Sequence, residues 1–166
     1  MARRLTYGLQ GVAQLLKADV GVRIAAVDYG DWDFHAALGK ADAGAMAMML
    51  GELGQSLAAL AADLGPHLEH VTLVTMSEFG RRVAENGSGG VDHGHDNAML
   101  VLGGRVKGGK VYGKWPMLAP SDLAGGNLAG TTDYRSVIGE VLVRCCGVGA
   151  LSGIFPRFTP RFVGLA

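Results

Sequence analysis

Val71-Thr72-Leu73-Val74-Thr75-Met76-Ser77-Glu78-Phe79-Gly80-Arg81-Arg82 is the stretch on which the reading of the fold turns. Its first six residues are β-branched and apolar, as a buried strand requires, and the polar residues after them mark the strand's C-terminal end. Upstream, Met46, Met49, Leu50, Leu53, Leu57, Leu60 and Leu64 recur at helical spacing until Gly65-Pro66 stops them. Before that helix, Arg23–Asp28 (RIAAVD) is an apolar run of strand length. Strand, helix, strand makes a βαβ unit, which predicts a parallel pair joined by a right-handed crossover.

Working outward, Gly80–Asn97 has no apolar period and reads as a long functional loop. It holds no helix, so the next apolar run, Ala98–Leu102, returns antiparallel to VTLVTM. Lys110–Tyr112 is a candidate fourth strand and Trp115–Gly130 a second loop rich in Gly and Pro. A last helix, capped by Thr131 or Thr132, carries Val137, Ile138, Val141, Leu142 and Cys145 as its buried stripe. A first helix, with Leu5, Leu9, Val12, Leu15 and Leu16 on one face, ends before Gly21. The expectation is one α/β domain over residues 1–166, with helices on a mostly parallel sheet that has an antiparallel return strand.

Composition bounds the chemistry. Of 166 residues, 49% are hydrophobic and 18% charged, which excludes a disordered chain. Fifteen basic residues balance fifteen acidic ones, so the expected partners include neither nucleic acid nor an anionic membrane. The 27 glycines cluster locally as turn and loop devices. Cys145 and Cys146, the only cysteines, are adjacent and read as free core thiols. The most apolar stretch, residues 41–65, is interrupted by Asp42, Glu52 and Asp63, which argues against a membrane span. Arg3-Arg4 is a twin arginine, but Lys17 and Asp19 follow it and no small-residue cleavage site does, so it reads as a helix start. A cytoplasmic location is the expectation for the chain as it stands.

Three segments carry donor atoms suited to a metal. In GDWDFH (30–35), Asp33 and His35 stand two apart beyond the first strand; in extended backbone their side chains share a side, although a loop-capping Asp beside an exposed His is the plainer alternative. Asp28 is a lesser candidate. Glu78 follows the VTLVTM strand and either joins the same sheet edge or pairs with Arg81 or Arg82. VDHGHDN (91–97) packs Asp92, His93, His95 and Asp96 together, a nitrogen and oxygen donor set suited to zinc, or else forms a solvated turn. Arg81 and Arg82 either clamp an anionic oxygen or face solvent. The glycines of GGRVKGGKVYG (103–113) lack a Walker pattern and read as a β-turn. Ser77 and Thr75 are minor nucleophile candidates.

In this order, GDWDFH, VTLVTMSEFGRR, GGVDHGHDNAMLVLGGRVKGGKVYG, TTDYRSVIGEVL and IFPRF resemble the bacterial family labelled domain of unknown function 1501, which is sulfatase-like and grouped with the alkaline phosphatase and sulfatase superfamily. The resemblance implies a truncated alkaline-phosphatase-like core, hydrolysis of small anionic phosphate or sulfate esters, and a divalent cation: zinc first, then calcium, manganese or magnesium. It makes Asp33, His35, Glu78 and His93 ligands, with His95 an alternative to His93. Phe34 and Arg82 stand where the family usually has Thr. The likeness is to the C-terminal part of longer, exported proteins, whose upstream part holds the nucleophile. A homo-oligomer or an upstream partner segment is therefore expected to complete the sheet. The alternatives are a non-catalytic binding or assembly module, or a hydrolase of another ester or a glycoside that uses metal-activated water.

Overall fold

Helices α1 (Ala2–Lys17) and α2 (Ala45–Leu64) each carry an apolar stripe, and they pack on one another. The computed structural model describes residues 2–166, with side chains from Leu5 onward; the Arg3-Arg4 side chains lie outside the described residues. On α1 the buried residues are Leu5, Leu9 and Ala13, an i, i+4 line narrower than the expected face, and Leu15 is exposed. Leu60 and Leu64 of α2 are buried as well. Truncating one such leucine to alanine costs about 2–5 kcal/mol. Thr6 hydrogen-bonds Ser56 at 3.3 Å and Lys17 pairs with Asp63 at 2.7 Å. The partners advance in the same sense along both helices, so the pair is parallel and the chain between them must travel back.

That return is residues 18–44, and it holds no ladder. Arg23–Asp28 was expected to be the first strand; it forms none, and no parallel pair exists among the described residues. Val27 lies instead over Gly8 of α1, where an added Cβ would meet Val27 Cγ1 at 2.8 Å. The hydroxyl of Tyr29 donates to Glu52 Oε2 of α2 at 2.9 Å. Of the run only Val27 packs on a helix, Ile24 is 88% exposed, and no strand lies beside it to pair with. Ala45–His70, α2 with the 3-10 turn after it, is long and apolar enough to cross a membrane by length and composition. The two acids within α2 are engaged, Glu52 by Tyr29 and Asp63 by Lys17.

The chain divides into two compact units, one running to Leu68 and including Ala84–Asp92, the other Glu69–Val83 with His93–Ala166. The second unit holds two small antiparallel ladders. β1 (Thr72–Val74) pairs with β4 (Val101–Gly103), Leu73 opposite Leu102, which is the expected antiparallel return in shortened form. β2 (Gly80–Arg81) pairs with β3 (His93–Gly94). Lys110–Tyr112 is no strand; Val111 is 95% exposed and nothing pairs with it. The molecule is thus a mixed helix and sheet fold with small antiparallel sheets.

The last helix, α3 (Tyr134–Arg144), is capped by Asp133 and not by either threonine: its carboxylate accepts from Arg135 N at 2.9 Å. Its buried face also differs from the expected stripe, of which Val141 is buried while Val137, Ile138, Leu142 and Cys145 are only half-buried. Ser136, Gly139, Glu140 and Val141 are buried, and they hold the chain's end. Glu140 accepts from the backbone N–H of Val163, Gly164 and Ala166 at 2.7, 2.9 and 3.1 Å, and Ser136 Oγ accepts from Arg161 N at 2.9 Å. Cys145 and Cys146 are free thiols, but Cys146 is exposed and no part of a core.

Candidate functional site

The GDWDFH motif is a tight turn and not the extended backbone expected. Phe34 N donates to Trp32 O and His35 N to Asp33 O, each at 3.1 Å. Two non-glycine residues flank it in the left-handed region, Asp31 at φ 66° and Ala37 at φ 50°. Aspartate tolerates that conformation through its short polar side chain, whereas for alanine it is strain that the surroundings must hold in place. The surroundings are residues 86–91: Ala37 N donates to Ser88 O, Leu38 N to Gly89 O and Val91 N to Phe34 O, at 2.8–3.1 Å. Gly90 is buried because an added Cβ would overlap the His35 carbonyl and Ala36 nitrogen.

The turn brings three predicted residues together. His35 Nε2 lies 3.2 Å from Asp33 Oδ1, and His35 Nδ1 lies 3.1 Å from Asp92 Oδ1. All three side chains are about half exposed, open to solvent and to a ligand. Asn86, not itself a metal-ligand type, organises them. Its side-chain amide donates to His35 O and to Asp92 Oδ1, each at 2.9 Å. Its carbonyl accepts from Ser88 N and Gly90 N at 2.9 and 3.1 Å. The signal available in the sequence was turn chemistry, Asn followed by Gly-Ser-Gly-Gly.

The remaining candidates lie in the second unit. His93 pairs with Arg81 across β2 and β3, and its ring lies on Phe79 with centroids 4.1 Å apart; Arg81 sits over that same ring at 5.3 Å. His95, highly exposed, turns to its neighbour Asp96 at 3.2 Å, and Asp96 also lies against Gly130. Glu78 is exposed. Among the described residues, Glu78, His95 and Asp96 belong to no cluster of three donors. Arg82 reaches Gly125 O at 3.3 Å, packs on Gly126 and bridges to Asn127, so it is a loop strut and not an anion clamp. Ser77 Oγ donates to Phe79 O at 2.5 Å, and Thr75 Oγ1 accepts from Leu100 N at 2.9 Å, so both hydroxyls serve the local backbone. Asp33, His35 and His93 each offer an exposed donor atom of the type a divalent cation takes.

Near this site Tyr29 stacks edge-on against Trp32, with centroids 5.2 Å apart. Burial first, then its hydrogen bond to Glu52 and that carboxylate's charge, push the Tyr29 hydroxyl up to about 12.

A family model described as "Protein of unknown function (DUF1501)" matches residues 3–134, a span that holds all three donor segments and ends where α3 begins. No curated protein and no solved structure matches the chain.

Proposed function

We propose that this chain, which belongs to the DUF1501 family, holds a divalent cation and acts on small anionic phosphate or sulfate esters. The observation that carries the reading is His35, whose two ring nitrogens both face carboxylate oxygens. A neutral imidazole donates from one nitrogen only. With that proton on Nδ1 and directed at Asp92, the Nε2 lone pair and Asp33 Oδ1 point at common ground, which a cation satisfies. Asp92 then orients the imidazole, as carboxylates behind metal-binding histidines do, and Asn86 holds Asp92. The proposed ligands are Asp33 and His35, to which the motif resemblance adds His93, the residue next to Asp92 in the sequence. Nitrogen and oxygen donors in this ratio suit zinc or manganese. Bound there, such an ion supplies Lewis-acid polarisation of an ester oxygen. The alkaline-phosphatase-like core and the sulfatase-like assignment belong to this same proposal and rest on the motif resemblance.

Ser77 and Thr75 are committed to backbone partners, which favours attack by water over attack by either side chain. Titration of EDTA-treated protein with zinc, manganese, calcium and magnesium in turn, followed by calorimetry, is expected to show one saturable site for zinc or manganese, weakened at least tenfold by His35→Ala and by Asp33→Asn. Aryl phosphate or aryl sulfate turnover should appear with the metal. If none of zinc, manganese, calcium and magnesium binds, the reading fails; metal binding without turnover on either ester leaves a binding module.

A further inference from the structure

The zero net charge of the chain conceals a local imbalance. Between Asp96 and Asp122 there is no acidic residue, and the same stretch holds Arg105, Lys107, Lys110 and Lys114, four of the fifteen cations. All four are exposed. Interleaved with them are apolar side chains that nothing covers: Val111 at 95% exposure, Trp115 at 62%, Met117 at 58% and Leu118 at 50%. Isolated exposed hydrophobes are ordinary, but a run of them in one segment marks an interaction surface.

The segment is built to present them. Lys107 N donates to Leu165 O at 2.8 Å, and Tyr112 Oη donates to Lys107 O at 2.7 Å, so the base is anchored. Lys110 Nζ lies 4.9 Å above the Tyr112 ring, and the turn from Lys107 to Tyr112 runs through Gly109 at φ 76°. Beyond it Met117 is held at φ 75°, a conformation unfavourable for an unbranched L-residue, with its side chain in solvent.

We propose that residues 105–118 dock on an anionic phospholipid surface, with Val111, Trp115, Met117 and Leu118 entering the headgroup boundary and Arg105, Lys110 and Lys114 among the lipid phosphates, while the Lys107 ammonium stays on Ala166 O at 3.0 Å. Each half of the composition needs the other. Aliphatic side chains gain nothing against a polyphosphate strand, while lysines gain little from a neutral apolar partner. A lipid interface takes both, with tryptophan at headgroup depth and lysine stems reaching past it.

The test uses the full chain with vesicles of phosphatidylcholine alone and of phosphatidylcholine with phosphatidylserine. Co-sedimentation is expected only with the anionic vesicles, and Lys110→Gln and Lys114→Gln should each weaken it about fivefold, the worth of one lysine at such a surface. Tryptophan emission should shift to the blue on binding. Trp115→Phe should abolish that shift, which assigns it to Trp115 and not Trp32, while still binding; Trp115→Ser with Met117→Ser should release the vesicles. The proposal is overturned if the chain sediments equally with neutral vesicles, if the shift survives Trp115→Phe, or if heparin or duplex DNA is bound while anionic vesicles are not. It is overturned equally if no vesicle is bound and the double serine variant instead dissociates an oligomer.

Discussion

Tyr29 shows how one side chain ties the site-bearing loop to its scaffold. Its hydroxyl donates to Glu52 on α2 and its ring meets Trp32, next to Asp33. Because the neutral phenol makes these contacts, the folded chain holds the proton to about pH 12, against 10.0 for an unfolded tyrosine. The stabilisation is therefore complete below pH 10 and is lost as pH rises toward 12. Denaturant unfolding across that window is expected to show a fall in stability that Tyr29→Phe reduces, and ultraviolet titration should find one tyrosine ionising last. An equal fall in wild type and variant would refute the coupling. At this scale much of the site was legible: Asp33, His35 and Asp92 were named from donor type and spacing, and they meet. Asn86 was not, because its role is to satisfy backbone groups, and turn residues are selected by local geometry that donor spacing does not reveal.

Among the elements, the helices were legible and the strands only in part. Helical periodicity is internal to a segment, so α1 and α2 stand within a residue or two of where leucine spacing puts them. A strand exists only with a partner. VTLVTM found one in Val101–Gly103, whereas RIAAVD did not, and only its Val27 packs on a helix. In α3 the element was predicted but its buried face was not, since a buried glutamate makes sense only against the three N–H groups brought by the tail. Replacing Glu140 by Ala leaves those donors without an acceptor. The expected outcome is a loss of more than about 3 kcal/mol of stability, at about 1–3 kcal/mol per orphaned group, with the Arg161–Phe162 bond opened to trypsin. Glu140→Gln, which keeps one carbonyl oxygen, should fall between. Unchanged trypsin resistance in the alanine variant would show that Ser136 and Lys107 hold the tail without it.

For the molecule as a whole, charge and exposed apolar surface act together. Fifteen cations against fifteen acids place the isoelectric point near 7.0, where no net repulsion keeps copies apart. Ile24, Met48 and Leu50 in the first unit and Met76, Leu100 and Ile154 in the second are all half or more exposed, or close to it, so both units offer apolar side chains for association. Moving the pH to 5 or 9 restores net charge of either sign without touching those side chains. Self-association is therefore expected to be strongest near pH 7 and to weaken on both sides. Sedimentation velocity over a range of concentrations should show species heavier than 17.2 kDa at pH 7, with the heavier fraction falling at pH 5 and pH 9 and, at those two values, recovering as added salt screens the charge. A single 17.2 kDa species at every pH and concentration would mean that the exposed side chains are too dispersed to form an interface. Association that persists unchanged at pH 5 and 9 would mean that apolar contact alone drives it, with charge balance playing no part.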